Sequence, residues 1–323
     1  MADACVIGVD LGGTKLLAGT VDAQLRVHHR AYRLSRPDAV VETIVEAVEE
    51  ARQATRAEIS AVGVGVPCLV EPVSGVAMAC NHFAIVDVPL RDLLAERLGL
   101  PIVVDNDATA ALIAEWRYGA ARGARNVIVL TIGTGVGGGI LADGRVIRGA
   151  SGAAGELGHF VIDESGPPCP GNCPSHGCLE AFVSGPALAR EGRERAEADP
   201  ESGLGVARAA GRDITGPLVT ELAHDGDPAA RAAIAALGHH LGIGITSLVN
   251  VFNPEVVVIG GGLVATGDLL LEPARAVVAE RALIPARDQV RIVPARFGDE
   301  SGMLGAAAMA FHAMAGGAES LGP

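Results

Sequence analysis

The chain is 323 residues long, 49% hydrophobic and rich in glycine, with 43 of them, which fits a two-domain α/β protein with many tight turns. A formal net charge of −13 excludes a nucleic-acid surface, which needs a basic stripe to displace counterions, and an aromatic content of 3% removes base-stacking platforms. No uninterrupted apolar run approaches the ~18 residues needed to cross a bilayer, so the expected partner is a small molecule rather than nucleic acid or membrane.

In chain order, the stretch from Val6 to Val27, VIGVDLGGTKLLAGTVDAQLRV, reads as an apolar strand, a Gly/Thr turn, a second strand, and a polar turn into a short third strand. Helical periodicity follows from Val40 to Arg56. Short apolar runs come next at Ala61–Val66 and Pro101–Asp105, and a helical pattern begins at Ala108. The small-residue stretch Gly119-Ala120-Ala121-Arg122-Gly123 suits a hinge. The segment from Val127 to Val146, VIVLTIGTGVGGGILADGRV, then repeats the opening. Aligning Gly12 with Gly133 also aligns Leu11 with Ile132, Asp22 with Asp143 and Leu25 with Val146. Later strands are expected at Val256–Ile259 and Val290–Pro294. Two copies of a βββαβα unit imply two similar lobes, residues 1–119 and 120–300, facing each other across a cleft. The Ala/Met-rich helix at about residues 301–315 is expected to pack back on the first lobe, and Arg190–Gly205 reads as a solvated helix and turn.

The glycine turns carry the first chemical signal. Asp10-Leu11-Gly12-Gly13-Thr14-Lys15 lacks the spacing of a Walker loop and lies between two antiparallel strands. Its glycines let backbone N–H groups approach an anion, and the Thr14 hydroxyl adds a donor. Lys15 is the only lysine in a chain whose other cations are all arginine, which suggests a need for its compact charge. Asp10 stands where it can hold a magnesium ion through its waters. Gly133, Thr134 and Gly135 supply matching donors in the second copy, and a third turn at Gly260-Gly261-Gly262 offers a backbone surface for an adenosine end. A nucleoside triphosphate held by the two lobes accounts for both main turns.

Asp105-Asn106-Asp107 follows a strand and precedes a helix, the place where α/β sheets bind ligands. One of the two acids is expected to cap that helix, while Asp107 can serve as a general base. Asn106 and Asn81 suit sugar hydroxyls, since each side chain both donates and accepts. Between Ser151 and Glu180, His159 and three thiols, Cys169, Cys173 and Cys178, make a tetrahedral ligand set for zinc. Glu156 and Glu180 fit no metal-ligand spacing and are free to bind something polar. The start, MADACVIGVDL, has no basic n-region or apolar h-region. A reducing cytoplasmic compartment is therefore expected, where clustered Cys and His favour metal over disulfide. Cys5, Cys68 and Cys80 read as buried structural thiols.

Taken together these residues resemble the ROK family of repressors, open-reading-frame proteins and sugar kinases. The phosphate motifs are Asp10–Lys15 and Gly133–Gly139. The catalytic motif is Asn106-Asp107-Ala108, and the extended signature is Gly152–His159 with the cysteine cluster and Gly177-Cys178-Leu179-Glu180. The resemblance implies a duplicated actin-like (ribonuclease H-like), two-lobed sugar kinase fold. It implies that Asp107 activates the 6-hydroxyl of a hexose, glucose first, with Mg-ATP as donor. It also implies sugar contacts from Asn81, Asn106, Glu156, His159 and Glu180, structural zinc on one ring nitrogen of His159, and a homodimer. N-acetylhexosamines or other hexoses, polyphosphate as donor, and a non-catalytic sugar-responsive regulator are the alternatives. Two departures stand out. The family's CxCGxxGC becomes Cys169-x3-Cys173-x4-Cys178, with Gly171 where the first cysteine often stands, and its Pro-Gly becomes Pro67-Cys68.

Overall fold

The repeat seen in the sequence is a repeat of architecture. In a computed structural model that describes residues 4–80 and 83–315, the chain opens with β1 (Cys5–Leu11), β2 (Lys15–Val21), β3 (Val27–Leu34), α1 (Val40–Gln53) and β4 (Ile59–Val66). Three short strands follow, β5 (Cys68–Val70), β6 (Ala77–Cys80) and β7 (Val86–Val88), then α2 (Leu90–Leu98), β8 (Ile102–Asn106) and α3 (Asp107–Arg117). The second copy runs through β9 (Val127–Ile132), β10 (Val136–Ala142) and β11 (Arg145–Val146). A helical stretch comes next: α4 (Leu179–Phe182), α5 (Gly185–Ala198), α6 (Gly203–Ala209), α7 (Gly216–His224) and α8 (Pro228–Phe252). The chain closes with β12 (Val256–Gly260), α9 (Asp268–Arg281), α10 (Ala286–Gln289), β13 (Arg291–Pro294) and α11 (Ser301–Met314). One five-stranded sheet has the order β3-β2-β1-β4-β8 and the other β11-β10-β9-β12-β13, the same pattern twice. The small sheet, β5-β6-β7, interrupts the first copy.

The chain divides into two compact units that interleave in sequence. The first comprises residues 1–129, 137–156 and 295–323, and the second residues 130–136 and 157–294. In the first unit β1 pairs antiparallel with β2 and parallel with β4, and β4 pairs parallel with β8. Helix α1 covers this sheet with Ile44, Ala47, Val48 and Ala51, a stripe at three- and four-residue spacing. Helix α11 packs on β1, β4 and α3. Its approach is so close that a Cβ added at Gly63 in β4 would collide with the carbonyl of Ala306. Met303, Leu304, Ala307 and Ala310 from α11 form one core cluster with Val6, Leu17, Ala61 and Ala114.

The aligned acids of the two copies do different work. Asp143, with φ 52°, and Gly144, with φ 78°, make the left-handed turn that joins β10 to β11. Asp22 is buried instead, and its carboxylate accepts from the N–H groups of Gln24 (2.9 Å) and Arg26 (3.0 Å). Burial of that carboxyl works against ionisation, yet these bonds and those from the Arg26 and His28 side chains hold it down at about 2.

In the second unit the core helix is α8, which packs against α5, α7 and α9. Among the described helices it is the one long and apolar enough to span a membrane by length and composition, although Arg231, His239 and His240 interrupt its apolar run. Its apolar residues Ile234, Leu237, Leu241, Ile245 and Val249 are buried within the unit, as in the core helix of a water-soluble domain.

Candidate active site

In the first unit Asp10 is the penultimate residue of β1 and lies opposite Gly65 of β4 in parallel register. The turn beyond it is closed by the Gly12 N–H donating to the Lys15 carbonyl at 2.8 Å. Ser35 fixes the same turn from β3's end, its hydroxyl donating to the Gly12 carbonyl at 2.7 Å. Lys15 Nζ reaches Asp299 Oδ2 at 3.1 Å, but both side chains are 57% exposed, so the pair adds little stability. A Cβ at Gly302, in the first turn of α11, would fall 2.5 Å from the Asp10 carboxyl group, so the acid packs where no side chain can stand. Desolvation first, then the nearby Asp107 and Asp299 carboxylates against the opposing pull of Lys15, push the Asp10 carboxyl up to about 8.

The three residues at the β8–α3 junction separate into three roles. Asp105 is buried, and its Oδ2 accepts from Arg148 Nε (3.0 Å) and Nη2 (2.7 Å). Neither acid is the cap; that role falls to Asn106, whose Oδ1 accepts from the N–H groups of Ala108 (3.0 Å) and Thr109 (3.1 Å). The correction has a simple cause: Asp105 still belongs to the strand and Asp107 is already the first helical residue. The Asn106 amide donates to the Cys68 carbonyl at 3.4 Å. Asp107 is thereby set at the first position of α3. Desolvation, then the charge of Glu156, push its carboxyl up to about 6 against the pull of the Ala108 N–H. Asn81 lies outside the described residues. Cys5, Cys68 and Cys80 are all buried. Cys68 stands directly across from Cys80 in the β5–β6 pair, where that neighbour and burial push its thiol well up.

Sequence reasoning missed a buried acid in this unit. Glu115 of α3 is wholly buried and accepts from the N–H groups of Ala120 (2.9 Å), Arg296 (3.0 Å) and Phe297 (3.0 Å), and from the Ser301 hydroxyl (2.9 Å). An acid inside the apolar run Ala110–Trp116 was the one available signal.

In the second unit the Gly133 N–H donates to the Gly135 carbonyl at 2.9 Å, closing the other turn, and the Gly133 carbonyl accepts from the Gly185 N–H at 2.7 Å. Glu180, on the one-turn helix α4, is buried at 6% exposure. Its Oε2 accepts from the Val136 N–H at 2.7 Å, immediately after Gly133-Thr134-Gly135. A Cβ at Gly135 would collide with that same oxygen. Gly261, with φ 82°, sits so close to Ile132 that a Cβ there would strike its backbone, while Gly262 faces open space. The third glycine turn is therefore packed against the start of the second.

The ligand atoms of His159, Cys169, Cys173 and Cys178 lie within 4.8 Å of one another. Cys169 Sγ is 3.4 Å from His159 Nδ1, and Cys173 Sγ is 4.0 Å from Cys178 Sγ. Tetrahedral zinc thiolates place their sulfurs about 3.8 Å apart, given Zn–S bonds of about 2.3 Å, so the donor set fits. The altered spacing leaves Cys169 in the cluster, and bridges between Val161 and Cys178 and between Pro168 and His176 tie the loop together. Burial and the two other sulfurs push the Cys169 thiol well up.

The ROK family description matches residues 6–313. This chain belongs to the ROK family. Among its relatives, the glucokinase of Streptomyces coelicolor is 37% identical over 311 residues, covering 94% of this chain and 96% of the relative. A crystal structure of a ROK family glucokinase from Streptomyces griseus, in complex with glucose and AMPPNP, superposes with a TM-score of 0.88. It is 34% identical and the match covers 96% of this chain and all of that one. The xylose repressor of Caldicellulosiruptor bescii is 31% identical over 319 residues, covering 96% of this chain and 78% of the relative.

Proposed function

We propose that this ROK protein is an ATP-dependent hexose kinase that phosphorylates the 6-hydroxyl of glucose. The observation that carries the reading is Asp107, fixed at the first position of α3 with its carboxyl raised to about 6 by desolvation and by Glu156. It is the local chemistry of a general base. The 6-oxygen attacks the γ-phosphorus, its proton passes to the Asp107 carboxylate, and ADP leaves. Phosphoryl transfer asks little covalent chemistry of a protein beyond positioning and charge neutralisation. The phosphate donors are the backbone N–H groups of Gly13 and Thr14 with Lys15, and those of Thr134 and Gly135, in turns that the Gly12 and Gly133 N–H groups close, while Gly261 and Gly262 serve the adenosine end. Asp10 would hold Mg²⁺ through its waters, and the metal would neutralise phosphate charge.

The sugar hydroxyls are assigned to Asn81, Asn106, Glu156, His159 and Glu180. His159 Nδ1 faces the cysteine cluster, which supports zinc on that nitrogen; Nε2 is assigned to the sugar, so that the metal would orient a binding residue. A cytoplasmic homodimer completes the reading. The experiment is a coupled ADP-release assay with Mg-ATP over a panel of hexoses and N-acetylhexosamines, with polyphosphate as a second donor. Asp107→Asn is expected to retain glucose binding and lose turnover by at least about a thousandfold. Glucose turnover at a near-normal rate in that variant would remove Asp107 as the base. Sugar binding without turnover from any donor in the wild type would replace the kinase by a sugar sensor.

A further inference from the structure

Glu180 is assigned to the sugar in the reading above, yet its clearest bond is made elsewhere. One carboxylate oxygen, Oε2, accepts the Val136 N–H at 2.7 Å. Val136 is the residue that follows the turn Gly133-Thr134-Gly135, whose backbone groups are the proposed phosphate donors of this unit. Glu180 is 6% exposed, so the bond is made out of water, where a donor left without its acceptor is costly. The fit is specific to the turn's composition. A Cβ on residue 135 would occupy the place of Oε2, so glycine there is what lets the acid close on the turn. The main chain of Glu180 is fixed in turn, its N–H donating to the Gly158 carbonyl at 2.9 Å.

We propose that Glu180 is a positioning residue for the nucleotide phosphates: its Oε2 holds the Gly133–Gly135 turn in its donor conformation through the Val136 N–H, while Oε1 remains for the sugar. The inference rests on the kinase reading and adds a coupling to it. A single carboxylate then serves both substrates, so a sugar hydroxyl drawn to one oxygen meets an acid already locked by the phosphate turn. Ordering of either partner favours the other, since the cost of fixing that side chain is met once.

The test measures AMPPNP affinity directly by titration calorimetry on the full-length protein, without sugar and then with saturating glucose. Glu180→Ala removes the acceptor, and Gly135→Ala displaces the carboxylate. Both are expected to weaken AMPPNP by about tenfold or more in the absence of sugar. Glu180→Gln keeps a carbonyl oxygen for the Val136 N–H. It is expected to hold AMPPNP affinity within about threefold of wild type while losing about tenfold or more in glucose affinity. That split between the two ligands is something a merely structural acid would not produce. AMPPNP affinity within about twofold of wild type in both Glu180→Ala and Gly135→Ala overturns the inference and leaves the kinase standing. A wild type that binds glucose and no AMPPNP overturns the kinase reading, and this inference with it. Should Glu180→Ala fail to fold, the Gly135→Ala and Glu180→Gln pair carries the same comparison.

Discussion

Asp107 occupies the point where a strand ends and a helix begins, and that position sets both its aim and its acidity. Its carboxyl sits at about 6 because desolvation and Glu156 outweigh the Ala108 N–H. The sign follows directly. The base works ionised, so activity is present above that value and is lost as pH falls through it. The kcat/KM for glucose is expected to fall about tenfold per pH unit below the titration, with an apparent acid-limb value near 6. A pH–rate profile flat down to pH 5 would contradict the assignment. For stability the sign is opposite: the folded state holds this proton more tightly than the unfolded chain, so ionising the group costs stability as pH rises from 3.8 towards 6. At this scale the sequence made Asp107 visible, because an acid after an apolar strand and before a helical pattern is an unusual combination. It left the cap misplaced by one residue, since Asp and Asn both cap well and only the backbone tells where the helix starts. Glu115 was illegible for a different reason. Its partners come from residues 120, 296, 297 and 301, and no local pattern announces donors drawn mostly from so far along the chain.

Among the elements, α11 and β4 touch backbone to backbone, and Gly63 is the reason they can. Gly63→Ala must push α11 off the sheet or bend β4, an overpacking expected to cost about 1–3 kcal/mol in urea unfolding. An unchanged unfolding midpoint would show that the contact relaxes freely. The loop from His159 to Glu180 makes a second element-level case. It has little regular structure apart from two isolated bridges, and on the zinc proposal the metal would join its four side chains. Cys178→Ser is expected to lower zinc content to below half of wild type and to raise the KM for glucose through His159, with a smaller effect on KM for ATP. Full-occupancy zinc in that variant, or none in wild type by metal analysis, would defeat the proposal. The strand-rich repeat was legible because period-two hydrophobicity and Gly/Thr turns recur at the same spacing in both copies. The small sheet was not, because strands of three or four residues such as Cys68–Val70 and Val86–Val88 carry too little periodicity to register.

At the scale of the whole chain, the first unit is assembled from three separated stretches, with α11 among them. The only tryptophan reports on this arrangement. Trp116 lies on α3, 9% exposed, with its indole N–H donating to the Ala124 carbonyl at 3.0 Å. Neighbouring α3 residues Ala110 and Ile113 share a core cluster with Ala306, Ala308 and Met309 of α11. A chain ending at Glu300 loses that packing and the Ser301 bond to Glu115. Its tryptophan emission is expected to shift to the red, with loss of the cooperative unfolding transition seen in the full chain. A native-like emission from the shortened chain would show that the first unit holds without α11.

That same helix imposes an order on synthesis. The ribosome releases β1 and β4 early, but the residues that cover their other face, Met303 to Ala310, are made only after the whole second unit. While the rest of the chain is translated, at about 5–20 residues per second, the first sheet waits for tens of seconds with part of its apolar surface uncovered. The unit that begins first is completed after the other, and synthesis interrupted between them yields a product whose first unit is unfinished.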